Sequence, residues 1–519
     1  MSITSTRLSR RGLLAAGGGL SIAAMLAAAG CGDSSGSSGA DRVTVLLPGN
    51  TPTGWPEVLA QVNTKLQAEL GLTLDAQFIA WTNYANQSLL KFTAGEPFDT
   101  ALQARWLNMI QLAGGRSLAA VNPLLDSGKY PNLSKTLDPK LIENNKWSGT
   151  LYGVPQVNSA ARIQHFVVRQ DLADKVGAGV ISDYAALEKF WYDVKQKVDG
   201  VTPLGLNSNM TNLIVVPNPI GLLNPYSWEN PYTVAQYFSG NSMFFVMAPD
   251  AAATGSSRPI PFWDAPGVVD ALRTVRRYYQ DGIINKDALN VDADTQKSLF
   301  GNGRQASAWA MTDGTSSSYY LPLLRKSTPG AALANVVPLR GGKSVKPNQT
   351  FQAENFVVLN AKGRSNDNAM RLQDWLSIRE NHDLISYGIE GRDWKATGEK
   401  SLEQLSEYSF PGFALSWRAP LERTPSVITE TEADWFAWAQ NYDNFTTDPF
   451  AGFIPDVTPV KREDAQMAAA FTQFANPLFF GAVDVDSGLD KLKKAVDAAG
   501  LERVRAELEK QADAYLKSR

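Results

Sequence analysis

Val43-Thr44-Val45-Leu46-Leu47, running into Pro48-Gly49-Asn50-Thr51-Pro52, is the stretch that decides the fold. Uncharged and largely β-branched or leucine, it stops at a Pro/Gly/Asn cluster, as a buried strand closed by a turn does. Downstream, Val58, Leu59, Val62, Leu66 and Leu70 recur at helical spacing, which predicts a helix from about Pro56 to Leu70. Leu72 to Ile79 reads as a second strand closed by Trp81, Asn83 to Thr93 as a second helix, and Phe98 to Leu102 as a third strand. This βαβαβ succession predicts an α/β fold whose loops collect at the carboxyl ends of the strands. In an open α/β sheet those ends form the ligand crevice.

Upstream of the strand lies an export signal. Met1 to Arg11 carries Arg7, Arg10 and Arg11 and no acid; an apolar stretch from Leu13 to Gly30 follows, then Cys31. The apolar stretch is short for a spanning helix and no basic stop-transfer segment follows it. Ser9-Arg10-Arg11-Gly12-Leu13-Leu14 resembles a twin-arginine motif, with the general secretory route also open. Ala28-Ala29-Gly30-Cys31 resembles a lipobox, with Ala28 where Leu is preferred. Cys31 is the only cysteine, which excludes an intrachain disulfide and a thiolate metal site and suits a lipid acceptor. The reading is a signal peptide and lipidation site over 1–31 and a flexible tether over 32–41, with a reach of roughly 17 Å. The mature chain is then lipid-anchored at the extracellular face of the cell membrane.

A mature chain of about 490 residues exceeds what a single core usually supports, so two lobes are expected. Removing the three leader arginines from 49 basic residues leaves 46 against 52 acidic ones, a net charge of −6 that argues against nucleic acid. There are only 2 histidines, but 13 Trp, 16 Tyr and 22 Phe. Further along, Tyr184 to Val198 and Ala369 to Leu384 read as helices. At the C-terminus Leu489, Leu492 and Val496 form one stripe and Leu501, Val504, Leu508, Ala512 and Tyr515 a second, broken by Gly500.

Several separated stretches carry a family resemblance: Trp147-Ser148-Gly149-Thr150-Leu151-Tyr152-Gly153-Val154-Pro155, Phe166 to Leu172, Phe300-Gly301-Asn302-Gly303-Arg304-Gln305-Ala306, Tyr387-Gly388-Ile389-Glu390-Gly391-Arg392-Asp393-Trp394, Asn476-Pro477-Leu478 to Gly481, and Gly500 to Gln511. In this order they resemble the extracellular solute-binding proteins, family 1, of ABC importers, in the LipO-like branch that binds aldouronates or oligosaccharides. The resemblance implies a two-lobed, hinge-linked fold of the type II periplasmic-binding class, with crossovers near Val154 to Asn158, near Trp309 to Asp313 and after about Trp375. Lobe 1 would hold 42–156 plus 313–376, and lobe 2 would hold 157–312 plus 377–519. It further implies a monomer that captures an oligosaccharide and passes it to membrane permease subunits, without a cofactor. Some relatives carry a calcium loop after the helix that here begins at Tyr184. Lys197-Val198-Asp199-Gly200-Val201 has one acid where several oxygen ligands are needed, so no metal is expected.

Sugar rings have apolar C–H faces and a hydroxyl rim, which aromatic rings and planar amides or charged forks match. The candidate site residues are therefore Trp81, Arg105, Trp106, Gln156, Asn158, Asn207, Trp309, Asp313 and Trp417. Trp191, Trp375, Trp435 and Trp438, at helical spacing, read as core; Trp55 and Trp228 in irregular stretches are weaker candidates. Two other readings stay open: the same receptor with a peptide or other polar cargo, and a surface carbohydrate-active enzyme. The enzyme would require two carboxylates at fixed separation, and no local signature marks such a pair.

Overall fold

A computed structural model describes residues 42–161, 163–208, 233–235, 245–248, 250–312, 316–337, 342–344 and 346–519. The leader, Cys31, the tether, Trp228 and Asp313 lie outside the described residues.

In chain order, the strands used below are β1 (Arg42–Pro48), β2 (Thr73–Ile79), β3 (Thr100–Ala104), β4 (Val154–Gln156), β5 (Ile163–Arg169), β6 (Ser307–Thr312), β7 (Leu333–Val336) and β8 (Asn355–Leu359). The helices are α1 (Trp55–Leu70), α2 (Trp81–Ala94), α3 (Tyr184–Lys197), α4 (Ser316–Ser327), α5 (Asn366–Trp375), α6 (Arg379–Tyr387), α7 (Glu430–Ala439), α8 (Val485–Ala499) and α9 (Leu501–Lys517).

Two sheets organise the molecule. The first is five-stranded, β2-β1-β3-β8-β4, with β1 parallel to β2 and β3, and β8 antiparallel to β3 and β4. β1 is buried on both faces from Val43 onward, as a central strand covered by helices is, whereas the edge strand β2 is half exposed. α1 lays Val58, Val62 and Leu66 on this sheet and stops at Gly71. The second sheet, β7-β5-β6, is antiparallel throughout. Its core joins Phe166 and Trp191 to Leu492, Val496, Val504 and Leu508 of the C-terminal helices. α8 and α9 part at Gly500, whose φ of 98° lies in the left-handed region that a side chain disfavours. The two apolar stripes read from the sequence are therefore two helices.

The first sheet holds β4, which ends at Gln156, and the second holds β5, which begins at Ile163. The second expected crossover, near Trp309 to Asp313, falls on β6, which is paired with β5 from Ile163↔Thr312 to Val168↔Ser307. β7 pairs with β5 as well, so residues 316–336 pack with the second sheet, and the chain returns only before β8. Nor does the first core end near Trp375, because Ile385, Tyr408, Phe410, Ala414 and Leu415 are buried in it. These later passages depend on strand partners far away in the chain. The single helix expected over Ala369 to Leu384 is two, α5 and α6, separated by the turn at Leu376 to Ile378.

Candidate ligand-binding site

A cleft of about 530 Å³ opens where the first sheet's carboxyl edge faces the second core. One wall comes from Pro48-Gly49-Asn50, Trp81, Tyr387 and the loop Tyr408 to Trp417; the other from Ser318, Tyr319 and Phe436; Asn158, Glu422 and Arg423 complete the lining.

Trp81 opens α2, and its placement follows from the next turn. The buried Tyr84 hydroxyl reaches the carbonyl oxygens of Leu46 (3.1 Å) and Leu102 (3.0 Å), pinning the helix to β1 and β3. The loop after Tyr408 is held at both ends: Tyr408 donates to the Ile385 carbonyl (2.7 Å), Phe410 stacks on Trp55 (5.3 Å), and Ala414 and Leu415 are in the core. Between these anchors Phe413 stacks on Trp81 (centroids 5.9 Å, 12°) and meets Trp417 edge-on (5.9 Å, 71°). The result is a connected aromatic wall. On the facing wall, α4 is fixed at its N-terminus by the Glu432 carboxylate. That group is 1% exposed and accepts from the backbone N–H groups of Ser316 (2.7 Å) and Ser317 (3.0 Å) and from their hydroxyls (2.6 Å each). Negative charge at a helix N-terminus is favourable, so this contact sets where Ser318 and Tyr319 enter the cleft.

Beneath the cleft floor is a polar lattice. Arg418 is 1% exposed, and its guanidinium donates to Ser377 Oγ (3.1 Å), Gln156 Oε1 (3.0 Å), Gln373 Oε1 (2.8 Å) and the Trp417 carbonyl (2.7 Å). Burial lowers its pKa to about 10, with the Glu422 charge acting in the opposite sense. Such a group is tolerated only because its donors are matched. The imidazole of His382 lies between Asp383 (Nδ1 to Oδ1 3.1 Å) and Glu422 (Nε2 to Oε1 3.3 Å). Burial alone would depress its pKa, but hydrogen bonds with both carboxylates outweigh that and raise it. Glu422 also accepts from the Arg418 backbone N–H (2.9 Å) and the Tyr387 hydroxyl (3.3 Å). Arg423 donates to Asp383 (2.9 Å) and lies over the Trp394 ring (5.0 Å).

Of the residues singled out from the sequence, Trp81, Asn158 and Trp417 line the cleft, and Trp106 packs beside Trp81 (6.1 Å) just outside it. The others that are described are elsewhere. Arg105 donates to the Ala353 carbonyl (3.1 Å) and Asn145 (3.0 Å) and lies against Trp147 and Phe356, tying β3 to β8. Gln156 is turned inward onto Arg418. Trp309 is 7% exposed in the second core, directly across from Phe166 in the β5–β6 register. Asn207 is buried and does not line the cleft. Sequence reasoning missed Phe413, Tyr387, Tyr319 and Phe436. Phe410-Pro411-Gly412-Phe413 carries a usable signal, aromatics flanking a Pro-Gly turn next to a Trp.

The relatives agree with this architecture. A carbohydrate ABC transporter substrate-binding protein of Streptococcus pneumoniae is 26% identical over 528 residues, covering 96% of this chain and 97% of that protein. The chain is thus similar over almost its whole length to a substrate-binding protein of an ABC transporter. Lipoprotein LipO of Bacillus subtilis is 25% identical over 279 residues, 53% of this chain and 51% of that protein. Among solved structures, the N-glycan transport solute-binding protein NgtS of S. pneumoniae superposes with a TM-score of 0.72 at 21% identity, over 92% of this chain and 99% of that one. NgtS has also been solved with Man1GlcNAc and with Man5GlcNAc, at TM-scores of 0.68 and 0.63. Residues 449–517 match a family described as a domain of unknown function, DUF3502. That span includes the Asn476 to Gly481 and Gly500 to Gln511 stretches that resemble the solute-binding family in sequence. The fold is the two-lobed, mixed α/β type of these binding proteins.

Proposed function

We propose that this chain is the lipid-anchored substrate-binding component of an ABC importer and that it captures an oligosaccharide in the cleft. The observation that carries the cargo is the wall Trp81–Phe413–Trp417, bordered by Asn158, Ser318, Ser386 and Gln404. Flat apolar rings edged by neutral hydrogen-bonding groups suit the two surfaces of a pyranose. The glycan-bound structures of NgtS support the same class of cargo.

In this account the ligand touches both walls only when they approach, so its differential contacts favour the closed form. Gln156, Arg418 and Gln373 would hold the base of the hinge while the walls move. A permease then reads the closed form and takes the glycan intact. Cys31 keeps the cleft at the outer face of the membrane and takes no part in binding. A Cys31→Ser protein should be released to the medium with unchanged ligand affinity; impaired binding by the released protein contradicts that division.

The test of the proposal is a thermal-shift and fluorescence screen with neutral and acidic oligosaccharides and with peptides, followed by mass analysis of the recovered ligand. Stabilisation by an oligosaccharide recovered uncleaved supports it. Stabilisation by peptides alone overturns the cargo, and catalytic cleavage overturns the receptor.

A further inference from the structure

We infer that the binding surface continues out of the cleft onto Trp106, which serves as an outer subsite for the distal units of a longer glycan. The inference rests on the carbohydrate reading above and concerns how long a ligand the site discriminates.

Trp106 follows β3 and leaves 46% of its surface exposed, as does Trp81. The turn that carries it is not loose. Arg105 N–H donates to the Glu354 carbonyl (3.1 Å) and Leu107 N–H to the Ala104 carbonyl (3.0 Å). Asn108 receives no less attention: its backbone N–H donates to Gln103 Oε1 (3.2 Å) and its amide to the Ala85 carbonyl (2.7 Å). The indole is thus presented by a turn fastened to β3, β8 and α2. Exposing so large an apolar ring on a rigid platform is unfavourable for the free protein, and a contiguous exposed patch of this kind marks a contact surface.

What identifies the occupant is continuity. Trp417 touches Phe413 at 5.9 Å, Phe413 stacks on Trp81 at 5.9 Å, and Trp81 meets Trp106 at 6.1 Å and 36°. The first three rings line the cleft and Trp106 does not. A glycan that fills the cleft and continues over Trp81 reaches Trp106 next, without crossing a polar gap. Short ligands use the inner rings alone; longer ones gain an added stacking contact.

The experiment is calorimetric titration of the mature protein and of Trp106→Ala and Trp81→Ala with size ladders of α-gluco-, β-gluco- and β-manno-oligosaccharides, from disaccharide to heptasaccharide. Wild type should bind the longer members of one ladder more tightly than the shorter ones. Trp106→Ala should remove that gain, about tenfold, and leave short ligands unchanged, while Trp81→Ala weakens both. Trp106→Phe keeps a ring and should keep most of the gain, which separates stacking from a folding effect read by melting temperature. Equal losses for short and long ligands, or no loss at any length, overturn the outer subsite and leave the cargo class standing. If neither these ladders nor the neutral and acidic oligosaccharide panel above binds wild type, the carbohydrate reading falls and this inference with it.

Discussion

Removing the Trp81 ring tests the aromatic wall of the cleft. Its side chain is 46% exposed in the free protein, which on a full indole area of roughly 250 Å² leaves roughly 110 Å² open. That open area is what remains beside Phe413, and a pyranose covering about half of it would gain about 1.4 kcal/mol at ~25 cal/mol per Å². Trp81→Ala should therefore raise Kd about tenfold. Its stability cost should be only about 1 kcal/mol, because the buried Tyr84 rather than Trp81 pins α2 to the sheet. Titration calorimetry reads the first quantity and urea denaturation the second. Unchanged affinity for every ligand, or a variant that loses its fold, refutes the assignment of Trp81 to the ligand surface.

Trp309→Ala makes the opposite prediction. The ring is in the second core, so the change should cost about 3–5 kcal/mol in urea denaturation, with ligand affinity largely kept while the protein stays folded; a stable variant with weakened binding contradicts its placement. Arg418→Met strands acceptors on Ser377, Gln156 and Gln373 and should cost about 2–4 kcal/mol after the relief of a buried charge, whereas a neutral outcome would show that the lattice carries no net stability. The raised pKa of His382 means that its charged form stabilises the fold fully below the ordinary imidazole value of about 6.5, and that this contribution is lost as pH rises through the folded-state value. The stability difference between wild type and His382→Gln, measured across pH, should shrink on the alkaline side; a difference independent of pH refutes the ion-paired imidazole.

The opening βαβαβ unit was legible because its information is local. Apolar spacing on α1, the turn at Pro48-Gly49-Asn50 and the break at Gly500 each depend on residues within a few positions. Trp81 and Asn158 come to line the cleft for the same reason: both follow a strand, and strand ends border the crevice. Gln156 and Trp309 satisfied the same sequence rule and failed on facing. Gln156 is still on β4 and turns toward Arg418, while Asn158, two residues on, lies where the chain has left the strand. Trp309 lies on the β6 face that meets Phe166 and Trp191, a pairing set by a strand more than a hundred residues earlier. The later crossovers were misplaced by the same limitation, since β7 belongs to the second sheet only through β5. Phe413 and Tyr319 reach the cleft because Trp55 anchors Phe410 and Glu432 anchors α4, contacts that no short window contains.

The most direct test of the central claim is titration of the mature protein with a broad oligosaccharide panel, with the ligand recovered afterwards and weighed by mass spectrometry. The account predicts saturable binding of an oligosaccharide, quenched or shifted tryptophan fluorescence that Trp81→Ala diminishes, and recovery of the glycan intact. Binding confined to peptides, or a glycan returned in pieces, would contradict it.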